Sequence, residues 1–175
     1  ADAAHWLEGV MPADVASMTV VECKPAAVPC ALVFSALDSS VAGDVECAFA
    51  RDGRIVCSNA RNHRMEPDVP LLIPEINAPH ITVIEAQRKR LGWKGAIVTN
   101  ANCSSTVAAL ALAPIHAKFG VDKVFVATMQ AVSGAGYPGV ASLDILGNVI
   151  PFIDGEEPKL QAEIAAKRVH RRTLL

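Results

Sequence analysis

The sequence predicts an α/β protein built on a parallel sheet covered by helices on both faces. Three observations predict this fold class. Apolar runs bounded by turn residues recur along the chain, and amphipathic segments of helical period separate them. The hydrophobic fraction of 51% in a chain of 175 residues supplies enough apolar surface for a sizeable core.

The first half of the chain is predicted to begin with a strand, a helix and a second strand. Residues 30–37 read as a buried strand, residues 39–53 as a helix with a serine N-cap and Gly53 at its end, and residues 54–59 as the next strand. After a further apolar run at 69–77, a helix is expected over 79–92. Its proline start and glycine stop are typical of helix boundaries.

The second half is predicted to repeat this rhythm once and then to lose it. Residues 95–100 form a strand that leads into a long helix after Cys103, and residues 123–132 are predicted to be another strand. From residue 133 the chain is rich in glycine and proline, so we expect a loop-rich passage. A final helix is predicted from about Glu156 to Arg171.

Charge and composition exclude several classes of protein. Lys and Arg number 16 against 18 Asp and Glu, which is too balanced for a general nucleic-acid binder, and the basic run at 167–172 is expected to be a solvated helix end. No apolar run reaches the ~18 residues of a membrane span, and the N-terminus lacks the features of a signal peptide. We therefore expect a cytoplasmic protein without nucleic-acid or membrane partners.

The five cysteines show no C-x-x-C spacing, so we expect no metal site, and most of them should be small buried side chains. Cys103 differs because it lies where a strand turns into a helix. Unpaired N–H groups of a first helical turn favour a thiolate and a negative charge developing beside it. A buried cysteine beside a helix capped by Ser104 is the alternative. His116 lies several turns away in the same helix, where a packing or surface role is expected.

Four segments together resemble the aspartate-semialdehyde dehydrogenases in their archaeal and fungal form. The likeness extends from about residue 12 to about residue 165, with the segments in matching order and spacing. The segments are VFSALDSSVAGDVE, SNARNHRMEPDVPLLIPEIN, NANCSSTVAAL and TMQAVSGAGYPGVASLDILGNVIPFIDGEEPKLQAE.

The resemblance implies a partial Rossmann-like parallel sheet followed by the start of an α+β domain. Residues 1–102 would be the remainder of an NADP-binding domain, and residues 103–175 the incomplete beginning of a catalytic and dimerisation domain. The implied reaction is the NADP-dependent conversion of L-aspartyl 4-phosphate to L-aspartate 4-semialdehyde through a cysteine thioester. This step serves the biosynthesis of lysine, threonine and methionine, and the full-length family forms homodimers or homotetramers.

The resemblance also implies roles for particular residues. Cys103 would be the nucleophile, and Gln130 would orient the intermediate. Four residues would hold the substrate or its phosphate, namely Arg64, Asn102, Glu156 and Lys159. Five would lie along the cofactor, namely Ser35, Ala36, Leu37, Ser133 and Gly134.

The sequence departs from the family pattern at both ends. No glycine-rich phosphate turn occurs before residue 20, and the catalytic histidine of the family would lie beyond residue 175. We therefore expect a fragment that is inactive by itself. Two alternatives stay open: reduction of an acyl-CoA, as in the related malonyl-CoA reductases, and a catalytically inactive structural piece.

Overall fold

The computed structural model describes residues 9–136 and 139–166, and it contains one four-stranded parallel sheet. Its order is β1-β2-β4-β3, and each neighbouring pair runs parallel. The strands are β1 Leu32–Ser35, β2 Ile55–Ser58, β3 Leu71–Leu72 and β4 Ala96–Asn100. The predicted fold class is confirmed.

Seven α-helices occur in the described residues. They are α1 Ala13–Ala16, α2 Ser39–Arg51, α3 Pro74–Asn77, α4 Ile84–Leu91, α5 Cys103–Phe119, α6 Ser142–Ile145 and α7 Glu156–Ala166. Short 3₁₀ turns span Pro25–Ala27, Ala78–Val83 and Val132–Ala135. The last part of the predicted final helix, and the basic run at 167–172, lie outside the described residues.

The predicted helix boundaries are right at one end of α2 and wrong at the other. Gly53 follows the end of α2 with φ of 104°, a conformation that favours glycine. The predicted serine N-cap is wrong, because Asp38 occupies that position and accepts a hydrogen bond of 2.8 Å from the Ser40 backbone N–H. A carboxylate there also interacts favourably with the positive end of the helix.

Helices cover both faces of the sheet around strand β4. Ile97 packs on one face with Phe49 of α2, and Ala96 and Val98 pack on the other face with Ile84 of α4. Neighbouring side chains of a strand point to opposite faces, which explains why β4 is buried on both. This packing fixes where β4 ends, and Cys103 lies three residues beyond that end.

The strand predicted over 123–132 is wrong. Residues 121–131 are irregular in the structure, and the side chains of Phe125 and Met129 are each 97% exposed. A strand needs a neighbour that pairs with its N–H and C=O groups, and the described part of the chain places none beside this segment. The apolar pattern is therefore present without the pairing that it predicts.

The expectation that most cysteines are buried is also wrong. Cys23, Cys30 and Cys103 are exposed, and Cys47 and Cys57 are half-buried. Burial raises the pKa of the thiols of Cys47 and Cys57.

Within the described residues, no helix combines the length and the apolar character that crossing a membrane requires.

Candidate active site

The site lies at the edge of the sheet where the parallel strands end. Asn59 follows β2 and Asn100 ends β4, and their side-chain amides meet in a hydrogen bond of 2.9 Å. Because all four strands are parallel, their carboxyl ends lie on this one edge. Ligands of open α/β sheets bind in the crevice outside these strand ends.

Cys103 is the first residue of helix α5, and its thiol is exposed. Asn102 caps the helix, since its Oδ1 accepts from the Ser104 backbone N–H at 2.9 Å. The same oxygen lies 3.7 Å from the Cys103 Sγ. The predicted helix after Cys103 is confirmed, whereas the alternative of a buried cysteine capped by Ser104 is wrong on both counts.

Every polar group of Asn102 forms a hydrogen bond within the protein. Its backbone carbonyl accepts from the Thr106 backbone N–H at 2.8 Å, and its backbone N–H donates to Glu163 at 2.7 Å. Its side-chain Nδ2 donates to Glu156 at 3.3 Å. The residue before Cys103 is therefore anchored to helix α5 and, twice, to helix α7.

Glu156 interacts through its carboxylate with three other predicted site residues, namely Gln130, Asn102 and Lys159. Its carboxylate accepts from the Gln130 Nε2 at 2.9 Å and from Asn102. Burial acts to raise the pKa of Glu156, but hydrogen bonds from Ser104, Gln130 and Asn102, together with the charge of Lys159, hold the pKa below its usual value. Glu156 is therefore ionised at neutral pH and offers a fixed negative charge near Cys103.

Arg64 joins this group through Glu163. Its Nη1 donates to the Glu163 carboxylate at 3.2 Å, and its Nη2 donates to the Asn59 carbonyl at 2.7 Å. Only 10% of the Arg64 side chain is exposed, and its Nε is buried without a hydrogen-bond partner. The structure thus brings the predicted phosphate-binding arginine to the loop before Cys103.

The predicted cofactor residues fall in two places. Ser133 and Gly134 lie in the 3₁₀ turn after Gln130, and both are exposed. Ser35 ends β1, which β2 separates from β4, and the stretch from Ser35 to Leu37 lines a cavity of about 100 Å³. A complete ligand pocket usually measures ~300–1,000 Å³, so this cavity has room for only a portion of a dinucleotide.

A buried network that the sequence did not predict supports the strand ends beside this cavity. Glu46 of α2 is 1% exposed, and its carboxylate accepts from the hydroxyl groups of Ser35 at 2.6 Å and Ser58 at 2.7 Å. His63 lies 3.8 Å from the other carboxylate oxygen and 2.6 Å from Glu66. The Ser35 hydroxyl proton is thus already used inside the protein.

Comparison with known proteins decides the family. Residues 2–84 match the semialdehyde dehydrogenase NAD-binding domain, and residues 112–172 match the semialdehyde dehydrogenase dimerisation domain. The chain belongs to the semialdehyde dehydrogenase family. The resemblance drawn from the sequence motifs is confirmed.

Relatives of the semialdehyde dehydrogenase family match nearly the whole chain. An aspartate-semialdehyde dehydrogenase from Methanothermobacter thermautotrophicus is 51% identical over 93% of this chain and 47% of its own length. A malonyl CoA reductase (NADP) from Metallosphaera sedula is 45% identical over 89% of this chain and 44% of its own. The chain therefore spans about half the length of these relatives.

A solved structure from the family shares the fold. The crystal structure of aspartate semialdehyde dehydrogenase with NADP from Candida albicans superposes with a TM-score of 0.73 at 38% identity. The superposition covers 90% of this chain and 45% of the other.

Two residues of the site were missed by the sequence reasoning. Glu163 is 3% exposed and bonds both Arg64 and Asn102, and Ser104 helps to hold the pKa of Glu156 below its usual value. A signal for Glu163 exists, because Glu156 and Glu163 are seven positions apart and fall on one face of a helix. That spacing indicates a shared face, but it does not indicate burial.

Proposed function

We propose that this chain carries the nucleophile and part of the substrate site of an NADP-dependent aspartate-semialdehyde dehydrogenase. The observation that carries the proposal is the exposed thiol of Cys103 at the N-terminus of α5, with Gln130 and Asn102 both bonded to the ionised Glu156. The family match supports it. The boundary that we propose between the cofactor part and the catalytic part lies after residue 102.

In the proposed reaction, the Cys103 thiolate attacks the acyl carbon of L-aspartyl 4-phosphate. A carbon–sulfur bond forms, the carbon–oxygen bond to phosphate breaks, and inorganic phosphate leaves with the bonding electron pair. NADPH, when bound, supplies the hydride that reduces the resulting thioester to the semialdehyde and frees the thiolate. The N–H groups of the first turn of α5 favour negative charge at this place.

The remaining site residues fit the two ends of this substrate. Glu156 is an anion at neutral pH and suits the substrate ammonium group, and Lys159 and Arg64 are cations that suit its phosphate. Because every polar group of Asn102 already has a partner within the protein, we assign it the task of holding the loop before Cys103. Gln130 is fixed by Glu156 and would orient the intermediate.

For the cofactor, we propose that Ser35, Ala36 and Leu37 hold one portion of NADP at the end of β1, with Ser133 and Gly134 near its nicotinamide. The position of the cavity at the carboxyl edge of the sheet fits a dinucleotide. Because the Ser35 hydroxyl proton is already donated to Glu46, this hydroxyl could offer the cofactor only an acceptor oxygen.

The dimerisation-domain match at residues 112–172 supports assembly with further copies of the protein. We propose a cytoplasmic homodimer or homotetramer in which exposed apolar side chains after α5, such as Phe125 and Met129, become covered. The remaining part of a longer polypeptide would cover them in the same way. Sedimentation of the full-length protein distinguishes a monomer from these assemblies.

The test of the proposed function is a thioester assay with a matched pair of acyl donors. Acetyl phosphate represents the acyl phosphates and malonyl-CoA the acyl-CoA substrates of the related reductase. We expect acetyl phosphate to acylate Cys103 faster, detected as a mass increase that Cys103→Ser abolishes. Faster acylation by malonyl-CoA would favour the alternative function, reduction of an acyl-CoA. Acylation that survives Cys103→Ser would refute both functions, since each requires the Cys103 thiol.

Turnover is the complementary measurement. We expect NADP-dependent oxidation of aspartate semialdehyde in the presence of phosphate from the full-length protein, and none from the 175-residue chain alone. Phosphate-dependent turnover by the 175-residue chain would show that it contains every group the reaction needs.

A further inference from the structure

We propose that Glu163 is a positioning residue of this site. Its carboxylate joins the guanidinium group of Arg64 to the backbone N–H of Asn102, and so fixes the predicted phosphate-binding arginine relative to the loop that carries Cys103. The inference rests on the proposed function for the roles of Arg64 and Cys103. Its structural core, the two hydrogen bonds of one buried carboxylate, does not depend on that function.

The geometry assigns each oxygen of Glu163 to a different partner. Oε1 accepts from the Arg64 Nη1 at 3.2 Å, and Oε2 accepts from the Asn102 N–H at 2.7 Å. These partners are 99 and 61 residues away in the sequence. Glu163 is 3% exposed, and a buried carboxylate is tolerated only when it is paired and hydrogen-bonded. The folded protein therefore needs both hydrogen bonds to keep this carboxylate buried.

For Arg64, the consequence is a guanidinium group that is fixed before any anion binds. Glu163 holds one terminal nitrogen and the Asn59 carbonyl holds the other, so the planar fork cannot rotate freely. The entropy cost of ordering this long side chain is met during folding and not during binding. The Arg64 Nε is buried and has no hydrogen-bond partner, so an anion would reach it only after the side chains around it move.

For Cys103, the consequence is a fixed backbone at the preceding residue. Glu163 holds the Asn102 N–H, while the Asn102 side chain caps α5 and the Asn102 carbonyl accepts from Thr106. Loss of the hydrogen bond between Glu163 and the Asn102 N–H would remove one of these constraints. The thiol and the arginine would then move independently of each other.

A different role for Glu163 makes the opposite prediction. If the carboxylate merely neutralised Arg64, its removal would take away a competing anion, and phosphate would bind more tightly. If Glu163 positions Arg64, its removal weakens phosphate binding despite the gain in positive charge. The sign of the change separates the two roles.

The experiment compares Glu163→Gln with Glu157→Gln in the full-length protein. Both substitutions make the same chemical change on helix α7, but Glu157 is exposed. Amide hydrogen exchange measured by NMR reports the Asn102 N–H, and protection of Cys103 from iodoacetamide by inorganic phosphate reports anion binding. Thermal unfolding followed by circular dichroism records the stability of each variant.

For Glu163→Gln we expect exchange at Asn102 to accelerate about tenfold, since a neutral acceptor bonds more weakly than a carboxylate. We expect phosphate to protect Cys103 with about fivefold lower affinity, and both readouts to stay within about twofold in Glu157→Gln. Should Glu163→Gln fail to fold, Glu163→Asp keeps the charge but is one methylene shorter. It should retain one of the two bonds and accelerate exchange at Asn102 or release Arg64, not both.

Three results would overturn the proposal: unchanged exchange at Asn102, tighter phosphate binding in Glu163→Gln, or equal acceleration of exchange throughout α7 and the sheet. The last would mean a general loss of stability. Failure of phosphate to protect the wild-type thiol would count against the proposed function. The Asn102 amide would still report separately whether Glu163 holds the loop.

Discussion

Gln87 provides the sharpest test of how this fold is stabilised, because its side chain completes strand β4. The residue is 0% exposed, and its amide oxygen accepts from the Ile97 N–H at 2.7 Å while its nitrogen donates to the Ile97 carbonyl at 3.0 Å and the Asp68 carbonyl at 3.1 Å. Strand β3 pairs only with the end of β4, at Thr99 and Asn100. Gln87 therefore supplies the Ile97 N–H and carbonyl with the hydrogen bonds that a neighbouring strand would otherwise make.

Substitution Gln87→Leu keeps the approximate size of the side chain but removes all three hydrogen bonds. Each buried polar group left unpaired costs about 1–3 kcal/mol, and burial of the leucine side chain offsets roughly 1.5–3 kcal/mol of the total. We expect a net loss of about 3 kcal/mol in the free energy of unfolding, which lowers the Tm by roughly 6–12 °C in a chain of this size.

Urea unfolding followed by circular dichroism measures this loss, provided that the slope of the free energy against urea stays unchanged. The matched control is Gln161→Leu, the same substitution at an exposed position of α7, where a change within about 0.5 kcal/mol is expected. A loss below about 1 kcal/mol for Gln87→Leu would refute the reasoning, since it would mean that the three groups find other partners.

Three further predictions concern the site and the strand that leads to it. Iodoacetamide near pH 6 should label Cys103 before Cys47, because Cys103 is exposed at a helix N-terminus whereas burial raises the Cys47 pKa. The reverse order, read by peptide mapping, would count against the proposed role of Cys103 as nucleophile. Burial acts to raise the pKa of Glu156, but hydrogen bonding holds that pKa below its ordinary 4.5. The stability that ionised Glu156 contributes is therefore complete above pH 4.5 and is lost as the pH falls through the lowered pKa. Glu156→Gln should therefore be about 1 kcal/mol less stable than wild type at pH 7 and match it near about pH 3, and a gap that persists in acid would contradict this. Gly95→Ala should lower the free energy of unfolding, measured with urea, by about 1–3 kcal/mol or more, because the added Cβ would collide with the rigid carbonyl of Arg54; an unchanged free energy would show that the backbone yields.

The fold class could be predicted from the sequence because its signals are local. The three well-formed strands at 32–35, 55–58 and 96–100 each lie within a predicted apolar run, and Gly92 ends α4 with φ of 66° as its position indicates. Strand and helix periods and helix-stop residues act over a few positions of the chain. The same local pattern failed at 123–132, where no described neighbour pairs with the predicted strand.

The candidate site could be predicted in its members but not in its connections. Cys103, Gln130 and Glu156 were all named from motifs, yet their linkage through Asn102 and the Glu156 carboxylate depends on α7 packing beside α5. Nothing in the local sequence distinguishes buried Glu163 from exposed Glu157 on the same helix. The roles named from motifs stay predictions until they are measured.

The sequence by itself determined the alternation of strands and helices, the long helix after Cys103 and the membership of a family whose motifs it carries. These follow from periodicity, capping and residue identity, which are properties of neighbouring positions. Only the tertiary structure decided that Gln87 completes a strand and that Glu163 joins Arg64 to Asn102. A buried polar group is stable only where a partner reaches it, and these partners come from distant parts of the chain that folding alone brings together.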